Sequence, residues 1–332
     1  MSEHAPAPAP LNGSGGDAET VRALLKAVKR ALGAGGEEAL EEASRALARV
    51  GSAASGGAPG RAAGVIDFRF PTAEEASASP RADGGGEAQG AVRVSLAEIN
   101  EGDGEGHEEG CVVWTAAVAL AMLTSLGRVR VGGESVLELG AGCGINGLVC
   151  AKVGARSVTL TEIDDSRILG NLEANVARNA DALGACAVSV RALDWRDPRG
   201  VAGRYSRILA ADCILGAYDS PTLLPRVLSR FLAGGGLAHL SMRVRGAGSE
   251  RTLDAFLENL REPSLALRLV SVAELSSAEL AEAEACVLGA ECCDRRQDAL
   301  SSERFFRSGV CLITVRKEGM GGRCASGDLG VR

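Results

Sequence analysis

The chain has 332 residues and a formal net charge of −7, with 46% hydrophobic but only 3% aromatic residues. This length allows one large or two small domains, and the composition predicts a core built from alanine, valine, leucine and isoleucine. An acidic chain without a basic block lacks the electrostatic footprint of a general nucleic-acid-binding protein.

The ten cysteines contain no CxxC pair, and the chain has only three histidines, so the spacing of a zinc site is absent and no metal site is expected. Most of the cysteines stand in apolar runs, which is typical of buried reduced thiols in a reducing compartment. The longest apolar run, 111–123, is too short to span a bilayer. The N-terminus is acidic and has no arginine before Arg22, which argues against a targeting peptide. We therefore expect a cytoplasmic protein, with the nucleus as a second location.

The first third of the chain changes character several times. Residues 1–17 are rich in alanine, proline and glycine and are predicted to be a disordered tail. Residues 18–50 have helical spacing with a break at "GAGG", which predicts a helical segment, either a small module or a hairpin that pads the fold. Residues 51–90 are predicted to be a flexible linker with one short strand, "VIDFRF". We expect the main domain over residues 91–317, followed by a flexible tail over 318–332.

The main domain is predicted to begin with a strand, "AVRVSLAEI", and from Gly110 onward helices and strands alternate. Helix "WTAAVALAMLTSL" precedes strand "SVLEL", and six further strands follow in the order "SVTLTEI", "CAVSVRAL", "RILAADCIL", "GLAHLSMRV", "LALRLVSV" and "SGVCLITVR". Between them stand predicted helices, among them "SPTLLPRVLSRFLAG" and an acidic helix from Ala273. Alternation at this spacing predicts a doubly wound α/β fold, with a seven-stranded sheet covered by helices on both faces.

A glycine turn follows the strand "SVLEL" directly. Gly140, Gly142 and Gly144 would let the backbone approach a ligand at the carboxyl end of the strand, where such sheets bind their ligands. In another register, Gly142, Gly144 and Gly147 satisfy G-x-G-x-x-G, and Glu162 follows Gly142 by 20 residues, as in a dinucleotide site. The turn therefore allows either a dinucleotide or S-adenosylmethionine.

The register favours the methyl donor. A dinucleotide turn would begin three residues late and leave Gly140 and Ala141 unexplained. Glu138 adds a negative charge, which is unfavourable beside a pyrophosphate and favourable beside a sulfonium or an amino group. Glu162 is the preferred acid for the ribose hydroxyls. Asp164 is the alternative, unless it caps the next helix.

Three further segments narrow the family. They are "GCVVWTAAVAL" with Trp114 before the first strand of the alternation, "LDW" after its third strand and "AADCIL" after its fourth strand. Together with "VLELGAGCG" and "TLTEID", this ordered set resembles the seven-β-strand lysine methyltransferases of family 16. The resemblance covers roughly residues 110–240. It implies a Rossmann-like methyltransferase sheet that is mostly parallel, with an antiparallel last strand.

The resemblance also implies roles for individual residues. It implies eight cofactor-binding residues: Trp114 beside the cofactor; Glu138, Gly140, Gly142 and Gly144 at its amino-acid end; Glu162 at its ribose; and Asp194 or Trp195 at its adenine. Asp212 would be the catalytic residue that faces the transferred methyl group and the incoming amine. The tyrosine that the family has three residues after this aspartate is replaced here by Leu215, and Tyr218 lies three residues further on.

The function predicted in this way is transfer of a methyl group from S-adenosyl-L-methionine to a lysine side chain of a protein. The N-terminal part more loosely resembles the branch that modifies a translation elongation factor, which makes a translation factor a candidate substrate. Two alternatives stay open on the same fold. One is methylation of a small molecule, and the other is a degenerate scaffold that acts as a binding module without catalysis.

Overall fold

The computed structural model describes residues 65–77, 90–99, 112–288 and 309–319. These residues belong to one of the two compact units into which the chain divides. The predictions for the tail over 1–17, the helical segment over 18–50 and the final residues from 320 lie outside the described residues. The domain boundaries stay a prediction.

The described elements alternate as the sequence indicates. In chain order they are β1 (Val65–Phe70), α1 (Ala73–Ser77), β2 (Val92–Ala97), α2 (Thr115–Ser125), β3 (Ser135–Leu139), α3 (Ile145–Lys152), β4 (Ser157–Glu162), α4 (Ser166–Arg178), β5 (Ala187–Ala192), β6 (Tyr205–Ala211), α5 (Ser220–Phe231), β7 (Leu232–Arg243), α6 (Ala247–Asn259), β8 (Leu267–Glu274), α7 (Ser277–Ala285), β9 (Val287–Leu288) and β10 (Val310–Lys317). The strands predicted from "VIDFRF" and "AVRVSLAEI" are confirmed as β1 and β2.

Seven strands form the central sheet in the order β5-β4-β3-β6-β7-β10-β8. The five strands β5, β4, β3, β6 and β7 are parallel to one another, whereas β10 is antiparallel to both β7 and β8. The predicted doubly wound sheet with an antiparallel last strand is therefore confirmed. Its order reverses between β3 and β6, and at such a switch point the carboxyl ends of neighbouring strands open a crevice for a ligand.

Two predicted helix boundaries are wrong. The helix predicted from "SPTLLPRVLSRFLAG" ends at Phe231, because the chain pairs with β6 from Leu232 onward. The acidic helix predicted from Ala273 begins at Ser277, because β8 continues to Glu274 and pairs there with β10. In both places, strand pairing with a distant segment overrides the local helical pattern.

Apolar side chains form a separate core on each face of the central sheet. One core joins α2, α3 and the two strands β1 and β2, and the other joins the sheet to α5 and α6. Helix α2 is buried around most of its circumference, which is expected for a helix that is apolar on all sides. These two cores fix the ends of β3, β4 and β6, where the glycine turn and the acidic residues lie.

A second sheet, in the order β2-β1-β9, lies beside α4. Asparagines that recur every four residues on a helix are usually on its surface, so the sequence alone predicts exposed positions for Asn171, Asn175 and Asn179. The contact of α4 with this sheet shows that prediction to be wrong. All three are buried, because each amide binds backbone groups of β2. Asn175 is the clearest case. Its Oδ1 accepts from the Ala97 N–H at 2.7 Å, and its Nδ2 donates to the Ala97 carbonyl at 3.0 Å.

Among the described residues β2 is an edge strand of its sheet, and the asparagines bind the backbone groups along its free edge. Asn179 repeats the pattern at Ser95, donating to its carbonyl at 2.7 Å and accepting from its N–H at 3.2 Å. A strand edge has unpaired N–H and C=O groups, and an amide side chain offers one donor and one acceptor that match them. Asn175 Nδ2 also donates to the carbonyl of Cys143 at 3.1 Å, which links β2 to the glycine turn.

Replacing Asn175 with alanine is expected to lower the free energy of unfolding by roughly 2–4 kcal/mol, because it leaves buried N–H and C=O groups of Ala97 and Cys143 with fewer partners. Denaturant unfolding measures this loss. The matched control is Glu173→Ala, which removes an exposed side chain from the same helix and should change the unfolding free energy by less than about 0.5 kcal/mol. Equal stabilities of the two variants would contradict the assigned role.

The described part of the chain was searched for membrane-spanning helices, metal-binding groups and disulfide bonds. No helix there is long and apolar enough to cross a membrane. No group of three or more histidine, cysteine, aspartate or glutamate side chains is arranged there to hold a metal ion. The six cysteines among the described residues are free thiols: Cys143, Cys150, Cys186, Cys213, Cys286 and Cys311.

Candidate active site

The glycine turn joins the end of β3 to the start of α3. Gly140, Gly142 and Gly144 have φ angles of +60°, +53° and +87°, a region that residues with a side chain rarely adopt. At Gly140 a Cβ atom would also lie 2.7 Å from Cys213 Sγ. The turn therefore requires glycine at its first position, directly after the strand, and brings its backbone close to the end of β6.

Gly147, the last glycine of the dinucleotide register, has a different role. It lies within α3, where a Cβ atom would come within 2.1 Å of Leu160 Cδ2. The absence of a side chain lets the helix pack closely against β4. Gly140 begins the turn immediately after β3, which agrees with the register expected for the methyl donor.

Glu138 is buried beneath the turn. Its Oε2 accepts from the Gly147 N–H at 2.8 Å, and its Oε1 accepts from Asn146 Nδ2 at 3.1 Å. Burial raises its pKa to about 8, although the hydrogen bonds from Gly147 and Asn146 act in the opposite direction; the nearby Glu162 charge adds to the rise. The carboxyl group thus holds the N-terminal turn of α3 in place.

Asn146 is a candidate site residue that the sequence reasoning missed. Its Oδ1 is buried and accepts no hydrogen bond from the described residues. A buried acceptor without a donor costs about 1–3 kcal/mol, so this position suits a ligand that brings an N–H group. No pattern in the sequence distinguishes Asn146 from the other polar residues near the turn.

Glu162 ends β4 with both carboxylate oxygens fixed by the backbone. Oε1 accepts from the Gly142 N–H at 2.9 Å, and Oε2 accepts from the N–H of Ile163 at 2.8 Å. Burial raises its pKa, and the two backbone hydrogen bonds partly offset this rise. Asp164 does not cap the next helix. The cap of α4 is Asp165, whose side chain accepts from the N–H groups of Arg167 and Ile168.

The raised pKa of Glu138 predicts a pH-dependent stability. The folded protein holds this proton up to about pH 8, whereas the unfolded chain loses it near the ordinary value of 4.5. The native state therefore binds more protons in this window, and the free energy of unfolding falls as the pH rises through it. At about 1.4 kcal/mol per pKa unit, the wild type should lose roughly 2–4 kcal/mol between pH 5 and pH 8 relative to Glu138→Gln. Urea unfolding of both proteins across this range measures the difference, and parallel curves would contradict the burial argument.

Asp212 follows β6 with a φ angle of +53° and a buried side chain. Its Oδ1 accepts from the Arg243 N–H at 3.0 Å, and its Oδ2 accepts from Arg245 Nη2 at 2.5 Å. The Arg245 guanidinium carbon in turn lies 5.7 Å from the centre of the Trp114 ring. The structure thus brings Trp114 and Asp212 together through Arg245, a residue that the sequence reasoning did not select.

The segment "LDW" places its two candidate residues differently. Trp195 is half-buried, and its ring lies 3.9 Å from the position that a Cβ atom would take at Gly140. Trp195 is therefore beside the glycine turn. Asp194 binds Arg196, receiving hydrogen bonds from its backbone N–H and from its guanidinium. These contacts lower the pKa of Asp194.

Leu215 stands at the sequence position of the family tyrosine, and Tyr218 lies three residues further along the same loop. Leu215 is half-buried and exchanges two hydrogen bonds with the Ser220 hydroxyl, at 2.6 Å through its N–H and at 2.7 Å through its carbonyl. Tyr218 lies in a short 3₁₀ turn, Gly216–Tyr218, with 56% of its surface exposed. The two hydrogen bonds to Ser220 fix the loop at Leu215, three residues before Tyr218.

Comparisons with known proteins identify a family and several relatives of this chain. The model of the lysine methyltransferase family matches residues 96–262, which is half of the chain. The protein N-lysine methyltransferase METTL21A of Danio rerio is 38% identical over 153 residues, covering 46% of this chain and 66% of the relative. The EEF1A lysine methyltransferase 3 of Mus musculus is 32% identical over 145 residues, which cover 42% of this chain and 58% of the relative.

Among solved structures, a methyltransferase from Pyrococcus furiosus matches 64% of this chain and 88% of its own, with 18% identity and a TM-score of 0.43. The chain spans between half and two thirds of the length of the METTL21A relatives that it matches. The family match includes β3 with its glycine turn, the acid at the end of β4 and Asp212 after β6. The chain therefore belongs to the lysine methyltransferase family.

Proposed function

We propose that this protein transfers a methyl group from S-adenosyl-L-methionine to the side-chain nitrogen of a lysine in another protein. The observation that carries the proposal is the arrangement at the carboxyl ends of β3, β4 and β6. These ends hold a glycine turn, a carboxylate fixed by backbone amides and a buried aspartate that Arg245 links to an aromatic ring.

The residues around the turn fit the chemical groups of this cofactor. Glu162 has both oxygens oriented by backbone amides, and each oxygen retains a lone pair for a ribose hydroxyl. Asn146 Oδ1 is a buried acceptor that suits an ammonium group, and Glu138 supplies negative charge beneath the turn when it is ionised. Trp195 gives an apolar wall beside Gly140 that suits the adenine.

Asp212 forms the acceptor side of the proposed site, and Trp114, which the resemblance assigns to the cofactor, is linked to it through Arg245 and would border both groups. Bound S-adenosylmethionine supplies a methyl group on a sulfonium sulfur, which an amine nitrogen can accept by in-line displacement. The protein contributes alignment and exclusion of water, and such positioning accounts for a large part of catalysis in bimolecular reactions. The Asp212 carboxylate would orient the lysine nitrogen by accepting its hydrogen bond, and water would take the proton that the ammonium group must lose before the nitrogen can attack.

His239 is not a candidate for that proton. It is buried in β7, and its Nδ1 lies 3.3 Å from the Thr314 hydroxyl. Burial lowers its pKa to about 4, so its imidazole is neutral at physiological pH. His239 is therefore a neutral residue of the core and not a proton acceptor for the reaction.

The names of the relatives support a protein as the substrate. METTL21A is named as a protein N-lysine methyltransferase, and the mouse relative is named for EEF1A. We therefore propose a protein as the substrate and a translation factor as the first candidate to examine. A cytoplasmic location belongs to the same proposal.

Titration calorimetry with S-adenosylmethionine tests the cofactor, and transfer of its labelled methyl group tests the acceptor. We expect saturable binding, followed by label that precipitates with protein when a cell lysate is added. Absence of binding would exclude methylation of a protein and of a small molecule alike, and would leave a non-catalytic binding module as the function. Label found only in the small-molecule fraction would replace the protein substrate with a small one.

A further inference from the structure

We infer that the side chain of Arg245 occupies the position that the ammonium group of the acceptor lysine must take. The inference rests on the proposed function for the identity of the acceptor. The cation-binding position itself is a feature of the free protein. We call this position the cation seat and define it by the Asp212 carboxylate and the Trp114 ring.

The cation seat has one charged wall and one aromatic wall. Asp212 Oδ2 accepts from Arg245 Nη2 at 2.5 Å, and the guanidinium carbon lies 5.7 Å from the centre of the Trp114 ring. A carboxylate and an aromatic ring both attract a cation, and the attraction increases where water is excluded. The same pair of walls would attract the ammonium group of a lysine side chain.

Arg245 covers the seat from the solvent side. The Asp212 side chain is only 6% exposed, whereas the Arg245 side chain is 39% exposed. An incoming cation therefore meets the guanidinium before it reaches the carboxylate. Direct contact with Asp212 Oδ2 requires that Arg245 move away.

The chain around Arg245 allows such a movement. Gly246 follows it with a φ angle of +128°, a backbone conformation that favours glycine, and α6 begins directly afterwards. The Arg245 N–H donates to the Ser249 hydroxyl at 2.6 Å, which fixes the backbone while the long side chain can rotate away. The Arg243 N–H remains on Asp212 Oδ1 at 3.0 Å, so the carboxylate keeps one hydrogen bond during the exchange.

The exchange has a consequence for selectivity. The charge of Arg243 also acts on Asp212, but loss of the ion pair with Arg245 leaves the buried carboxylate less stable. Displacement of Arg245 is therefore most favourable when another cation replaces it. A lysine ammonium group meets this requirement, and a neutral polar side chain does not. Arg245 therefore weakens the binding of every ligand to the seat but penalises neutral ligands most.

The test uses the full-length protein and n-butylammonium chloride, which has the cationic end of a lysine side chain. The chain contains only two tryptophans, so the indole N–H of Trp114 gives one of two cross-peaks in a proton–nitrogen correlation spectrum. Its shift during titration reports occupation of the seat. Sodium chloride at the same concentration corrects for ionic strength.

We expect Arg245→Gln to bind n-butylammonium about tenfold more tightly than the wild type, because the competing cation is no longer tethered beside the carboxylate. Arg245→Lys keeps a tethered cation and should bind n-butylammonium with wild-type affinity. Adding Asp212→Asn to Arg245→Gln should abolish the gain. These three variants compare the same site with a cation, without one and without its charged wall.

Equal affinities of the wild type and Arg245→Gln would overturn the inference, as would an equal gain in Arg245→Lys. Binding that survives Asp212→Asn in the Arg245→Gln protein would overturn the seat itself. The titration needs neither cofactor nor methyl transfer. Failure of the proposed function would therefore appear as absent label transfer, whereas failure of this inference would appear in the titration alone.

Discussion

Replacing Asp212 with asparagine is expected to lower the rate of methyl transfer at least about 100-fold, while the affinity for S-adenosylmethionine changes by less than about threefold. Asparagine has the same shape and tolerates the positive φ angle of this position. It can still accept from the Arg243 N–H, so the loop should keep its conformation. What it removes is the negative charge that would orient the amine of the acceptor.

The matched control is Asp219→Asn. Asp219 also has a φ angle of +53°, but its side chain is exposed and lies at the start of α5. This variant should transfer methyl groups within about twofold of the wild type. Rates are measured as label incorporated into protein, and calorimetry gives the cofactor affinities. Unchanged transfer by Asp212→Asn would refute its assigned role.

Replacing Gly147 with alanine is expected to lower the free energy of unfolding by about 2 kcal/mol. The added methyl group would lie 2.1 Å from Leu160 Cδ2, 2.9 Å from Glu138 Oε2 and 3.0 Å from Val158 Cγ1. Overpacking typically costs about 1–3 kcal/mol, and a separation as short as 2.1 Å puts this substitution at the upper end of that range. The better helix propensity of alanine offsets about 1 kcal/mol of this cost. Since Glu138 and α3 would have to shift, cofactor affinity should fall as well.

Gly170→Ala is the matched control, because Gly170 also lies within a helix. A Cβ atom there meets nothing within 4 Å. The substitution should therefore raise the free energy of unfolding by about 0.5–1 kcal/mol through helix propensity. Thermal and denaturant unfolding of the two variants give the comparison. A stabilised Gly147→Ala protein would contradict the close packing of α3 on β4.

The sheet and the glycine turn could be predicted from the sequence because they depend on local patterns. Strand-helix alternation determined the seven-stranded architecture, and the position of Gly140 directly after "SVLEL" indicated the register of the turn. Such signals repeat over short distances and need no knowledge of distant contacts. The helix boundary at Phe231 was mispredicted, because pairing of the following residues with β6 decides where that helix ends.

The remaining features depend on pairs of residues far apart in the chain. Asn175 was interpreted as a surface residue, since nothing in α4 indicates that the edge of β2 lies 78 positions away in the sequence. Arg245 was likewise missed, because its role follows only from contacts with Asp212 and Trp114. Polar residues acquire such roles from tertiary contacts, which hydrophobic periodicity does not encode.

The central claim is that the acceptor is a lysine side chain, and tandem mass spectrometry of the methylated protein tests it most directly. A lysate protein that gains label from S-adenosylmethionine with the wild type but not with Asp212→Asn is digested and sequenced. We expect methyl groups on the side-chain nitrogen of a lysine. Methyl groups found on another residue type, or label that Asp212→Asn transfers equally well, would contradict it.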